Sequence, residues 1–175
     1  MVITSLPRLI RLGNCVHGSF LISDLNTVRP EPVIIKWSRA DFEGKDVPED
    51  AKTFLIESGL PTGIGISCST LEFGIFDSDN SALIIGVDYE FPIIMTPFGV
   101  VEIENEEGDW FFNSSVQQLA ACINVYRDLN QCDDDDTRAA LMIAKDRIRQ
   151  IDPLCMSGVE RSVWRTLLDD FEVMA

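Results

Sequence analysis

Apolar residues recur along this chain at two periods, and the change between them divides it. Between residues 62 and 112 they come in short runs, over 71–76, 82–89, 91–96, 100–104 and 109–112. Turn formers separate the runs: Asp77-Ser78-Asp79-Asn80, Pro97-Phe98-Gly99 and the stretch from Asn105 to Gly108. Connections this short predict strands joined as an antiparallel meander. Acids alternate with Val101 and Ile103, so one face of the sheet is expected to be wet. Beyond residue 112 the period turns helical, with Val116, Leu119, Ala120, Ile123 and Tyr126 on one stripe that runs to about Asn130. The junction is Trp110-Phe111-Phe112-Asn113-Ser114-Ser115, where a buried strand passes almost directly into this helix. Ser114 is the predicted N-cap, its hydroxyl accepting from an unpaired backbone N–H, and Gln117 three residues on completes a capping box.

The flanks follow from the same signals. Residues 33–37, bounded by Pro30 and Pro32, predict a strand. Residues 46–59 predict a helix with Pro48 and acids at its start, with Ala51, Phe54 and Leu55 facing the core. Gly59-Leu60-Pro61 closes it, the glycine supplying a left-handed turn. A third helix carries Leu141, Ala144, Ile148 and Ile151 and stops at Asp152-Pro153. A last one carries Val163, Trp164, Leu167, Leu168 and Phe171. In the first 30 residues Leu6, Leu9, Ile10 and Leu12 suggest a short element and Phe20-Leu21-Ile22 a strand, with no clear organisation. The expected fold is α+β: one domain over 1–175, with a central, mainly antiparallel sheet between N-terminal and C-terminal helices, the helical end spanning 133–175.

Charge sharpens this. The chain has 29 acids against 14 lysines and arginines, a formal charge of −15. Such a surface repels phosphate backbones and anionic membranes, so no direct nucleic-acid or membrane partner is expected. It suits a basic protein. Five widely spaced cysteines (Cys15, Cys68, Cys122, Cys132, Cys155) include no C-x-x-C pair, which argues against a disulfide framework or a zinc site and fits a reducing cytoplasm. Pro7, Arg8 and Arg11 interrupt the N-terminal apolar residues, so no secretion signal is expected.

Candidate chemistry is thin. His17 is the sole histidine, and its neighbourhood with Cys15 offers nothing else that a nucleophilic site needs. Asp133, Asp134, Asp135 and Asp136 are consecutive, without the alternate spacing, glycine turn and distal glutamate of a calcium loop, and they suit the start of a helix or a partner-facing patch. The acids Asp77, Asp79, Asp88 and Glu90, and the series Glu102, Glu104, Glu106, Glu107 and Asp109, could pair for hydrolysis, yet no basic cluster accompanies them. The glycines match neither a phosphate loop nor a dinucleotide fingerprint, Gly63-x-Gly65 included, so no cofactor is expected. No catalytic, cofactor or metal residue is assigned.

Phe54-Leu55 with Gly59-Leu60-Pro61, the step Phe112-Asn113-Ser114-Ser115, and Ile151-Asp152-Pro153 followed by Trp164 resemble, in that order, the SUKH superfamily, and in particular its fourth family of bacterial toxin-immunity proteins. The resemblance covers roughly residues 45–172. It implies an antiparallel sheet with flanking helices and a non-enzymatic role: binding and neutralising a cognate polymorphic toxin, of which many are nucleases or nucleic-acid deaminases. Gly59, Leu60, Pro61, Asn113, Ser114, Ser115, Gln117 and Trp164 read as structural. No toxin-binding residue carries over by motif, so Glu102, Glu104, Glu106, Glu107, Asp109 and Asp133 to Asp136 are the steering surface that charge suggests. Trp110 or Phe91 could anchor a partner, although core burial is the expectation for both. A monomer is expected. Two other functions fit the residues: a regulatory scaffold or adaptor of the same fold, and a carboxylate-dependent metal hydrolase.

Overall fold

The computed structural model describes residues 32–66, 69–76, 83–106, 108–131 and 137–174. These belong to one compact unit, residues 31–175. The elements expected before residue 31, and the turn at 77–80, lie outside the described residues.

A six-stranded antiparallel meander forms the centre. Its strands are β3 (Ile64–Ile66), β4 (Ser69–Phe73), β5 (Leu83–Asp88), β6 (Phe91–Met95), β7 (Val101–Ile103) and β8 (Trp110–Asn113), hydrogen-bonded in chain order. A second, two-stranded sheet pairs β1 (Ile34–Ile35) with β2 (Leu60–Pro61). Among the described residues, five α-helices accompany the sheets: α1 (Glu49–Glu57), α2 (Val116–Leu129), α3 (Thr137–Ile151), α4 (Pro153–Met156) and α5 (Val163–Met174). The architecture is α+β, as the two periods predict.

Alternation in the strands produces a single core. Leu71 and Phe73, Leu83 and Ile85, Ile93 and Met95, Val101 and Ile103, and Phe112 are all buried on one sheet face. Their intervening neighbours Glu72, Ile84, Ile94, Glu102 and Phe111 keep contact with solvent. Against the buried face α2 contributes Leu119, Ile123 and Tyr126, and α5 contributes Trp164 and Leu168. Trp164 is fully buried, its ring centroid 5.2 Å from that of Phe112 and 5.8 Å from that of Tyr126. Three large aromatics in contact bury apolar area and gain from tilted ring packing.

Two glycines are required by close backbone approach. Gly59 ends α1 with φ +74°, and a Cβ there would overlap the carbonyl oxygen of Ile35. Gly86 sits where β5 bulges, and a Cβ would lie 2.8 Å from the Glu72 carbonyl oxygen on β4.

Several expectations shift. The strand expected over 33–37 is only Ile34–Ile35, because its partner β2 is two residues long. Leu60-Pro61 closes α1 and is also that partner strand; a strand this short has no alternation to reveal it. The Gly63-x-Gly65 segment runs into strand β3, which pairs with β4. The N-cap of α2 is Ser115, not Ser114: the Ser115 hydroxyl accepts from the Gln118 backbone N–H at 3.2 Å. Gln118, not Gln117, therefore occupies the third helical position, and its Nε2 donates to the Ile151 carbonyl at 2.9 Å, joining the start of α2 to the end of α3. Gln117 instead donates to the Asp50 carbonyl on α1. Asp152-Pro153 stops α3 and at once starts α4, with the Asp152 carboxylate as cap.

Candidate protein-interaction surface

Asn113, Ser114, Asp152 and Trp164 are distant in sequence and meet in one buried node. Asn113 is fully buried at the end of β8. Its amide oxygen accepts from Trp164 Nε1 at 2.8 Å, and its amide nitrogen donates to Asp152 Oδ2 at 3.1 Å. Asp152 Oδ2 also accepts from the Ser114 backbone N–H at 2.7 Å, and Oδ1 from the Ser114 hydroxyl at 2.9 Å. A buried carboxylate is stable only with such donors around it. Cys155 closes the node: its sulfur lies 3.1 Å from the Asn113 amide nitrogen and donates to the Phe112 carbonyl. The neighbouring Cys122 thiol, burial and the Asp152 charge push the Cys155 thiol well above its ordinary pKa. It stays protonated and inert. The node fastens β8, α4 and α5 together.

The acids expected to steer a partner divide differently. Glu102 lies in β7, paired with Ile94 on β6 and Phe111 on β8, on the face away from the core. Burial, and then the charge of Asp109, raise its carboxyl above the ordinary range. Glu104, Glu106 and Asp109 are exposed on the turn between β7 and β8. That turn is held by Glu104 N–H donating to the Pro92 carbonyl and Gly108 N–H donating to the Asn105 carbonyl. Glu107, Asp133, Asp134, Asp135 and Asp136 lie outside the described residues, as do His17, Cys15, Asp77 and Asp79. Among the described residues, no three His, Cys, Asp or Glu side chains come together as a metal site. No helix of the described residues is long and apolar enough to cross a membrane.

Beside the same turn, sequence reading missed a pocket. A cavity of about 220 Å³ opens between the sheet and α5. Ile103 and Val163, nearly buried, form its floor, and the half-buried Phe91, Trp110 and Leu167 its walls. Asp88, Asn105 and Thr166 surround the mouth. Phe91 and Trp110, the two candidate anchors, thus pack against the core and also wall a recess. Its trace in the sequence is that Phe91, Ile103 and Trp110 stand at strand termini on one side of the sheet. A second recess of about 250 Å³, between α1 and the turn at Arg39–Phe42, is lined by mixed charges that include the Lys52–Glu49 ion pair.

No protein-family model, curated protein or solved structure matches the chain.

Proposed function

We propose that this chain is a SUKH-type immunity protein, which binds a cognate toxin, a nuclease or nucleic-acid deaminase, and neutralises it without catalysing a reaction. The observation that carries the reading is the meeting of Asn113, Ser114, Asp152 and Trp164 in one hydrogen-bonded node. These residues carry the sequence resemblance and span 51 positions between Asn113 and Trp164, and a shared structural role explains why they occur together. Charge supports the functional half. An enzyme that acts on nucleic acid needs a basic surface, and an acidic inhibitor is drawn to it, with association accelerated roughly ten- to a thousand-fold. Glu102, Glu104, Glu106 and Asp109, around one turn, provide part of that field.

The test is co-expression. The toxin domain encoded beside this gene should arrest growth alone and be tolerated when this chain is present. Continued arrest at matched expression contradicts the reading.

A further inference from the structure

We propose that the hairpin turn Tyr89-Glu90 between β5 and β6, with the apolar recess beside it, is the docking surface for a basic protein partner, and that Tyr89 is its anchor. The inference deepens the reading above and rests on it only for the identity of that partner.

Strand register brings the surface together. Asp88 pairs with Phe91 across the turn, Ile93 with Ile103, and Ile103 with Trp110. The turn at Tyr89-Glu90 and the turn between β7 and β8 therefore leave the sheet at the same end. Asp88 and Phe91, the pair that closes the hairpin, also line the recess with Trp110 and Leu167, so ring and recess adjoin. At about 220 Å³ the recess is below the roughly 300–1,000 Å³ of small-molecule sites, and it suits a side chain on a protein face.

Tyr89 is the residue that folding alone does not explain. Its φ is +57°, and in a two-residue hairpin loop that conformation favours glycine or asparagine. A bulky side chain is strained there. Yet the ring is 79% exposed and takes no part in the core. An aromatic held outward at a local cost suits contact with another molecule, and tyrosine is among the favoured interface anchors, with a large rigid ring and a polar tip. Charge then selects the partner. Glu90 beside the ring, and Glu104, Glu106 and Asp109 on the neighbouring turn, are exposed. Carboxylates around an aromatic tip favour lysine and arginine, which the ring face also attracts. Asp88, Asn105 and Arg161 already have interactions within the protein and are assigned no contact with the partner. Phe98 is more exposed still, at 89%, but its turn leaves the opposite end of the sheet, which makes it the natural control.

Titration of the full chain with the capped peptide Arg-Leu-Arg-Leu-Arg, followed by NMR, tests this. Saturable shifts are expected at Tyr89, Phe91, Trp110 and Leu167 and not over the rest of the acidic surface, with affinity on the order of millimolar. Tyr89→Ala should weaken binding at least about fivefold, Phe98→Ala should leave it within about twofold, and the peptide Glu-Leu-Glu-Leu-Glu should not bind. Tyr89→Gly removes ring and strain together. It should unfold at no lower urea concentration than wild type and bind as weakly as Tyr89→Ala, which excludes loss of folding as the cause. No binding, shifts spread over the whole surface, or an equal effect of Phe98→Ala overturns the proposal. The toxin domain encoded beside this gene separates it from the immunity reading. Neutralisation of that toxin, with its affinity unchanged by Tyr89→Gly, overturns the docking surface and leaves immunity standing. Peptide binding confined to this end of the sheet, in a chain that protects against no toxin, supports the surface and removes the immunity reading.

Discussion

Asn113 shows how much one side chain can hold in this protein. It satisfies the indole of Trp164 and one oxygen of Asp152, and both partners are buried. Asn113→Leu keeps the volume roughly constant and strips both of a partner. The expected loss is about 2–5 kcal/mol in urea unfolding, since orphaned buried polar groups cost more than the net worth of the bonds. A loss under about 0.5 kcal/mol would show that the node does not fasten the fold. Glu102 works the other way. Its carboxyl pKa is raised in the folded state, by burial first and Asp109 second. Below the ordinary carboxylate pKa it is protonated in both states and costs nothing; as pH rises through the raised folded value, the penalty for ionising it appears. Glu102→Gln should therefore stabilise the protein at pH 7 by up to about 1 kcal/mol, given its partial exposure, with the gain vanishing near pH 3. A destabilised variant at pH 7 would contradict this.

At the scale of elements, the long helices and the meander strands from β4 to β8 are legible in the sequence, and the shortest elements, β2 and α4, are not. The apolar stripe of α2 and the stop at Asp152-Pro153 are visible because helical period and proline are strong local signals. The two-residue β2 is not, and the strand expected over 33–37 contracts to Ile34–Ile35, because their pairing depends on Gly59 bringing the chain back against Ile34 and Ile35. Gly59→Ala should cost about 2–4 kcal/mol in thermal or urea unfolding, from left-handed strain and overlap with the Ile35 carbonyl. A neutral effect would mean that β1 is dispensable. The cap of α2 was misplaced by one residue because Ser114 and Ser115 have the same local chemistry; only Asp152, 38 positions away, claims Ser114. Ser115→Ala should lower stability by about 1 kcal/mol, the usual worth of an N-cap. If that change is silent, the helix is capped otherwise. Between α3 and α5, burial opposes the charge of Lys145, but hydrogen bonds to Glu172 and Asp169 prevail and hold its pKa above the ordinary value. That pairing could not be foreseen from either helix alone.

For the whole molecule, net charge is the property from which the basic character of the proposed partner is argued. A charge of −15 is a long-range property readable without a fold, whereas the candidate pocket exists only where β6, β7, β8 and α5 come together. The structure groups Glu102 with the turn carrying Glu104, Glu106 and Asp109, and puts the recess beside them at one end of the sheet. Sequence reading could name the acids but not this adjacency, since it had no register between β7 and α5. The central claim is that an acidic face draws in a basic toxin. The most direct measurement is the association rate of this chain with the toxin domain encoded beside it, by stopped flow from 50 to 500 mM NaCl. Steered association predicts a rate that falls at least tenfold across that range, as screening shortens the reach of the charges. A rate unchanged by salt, or no complex at all, would contradict the account.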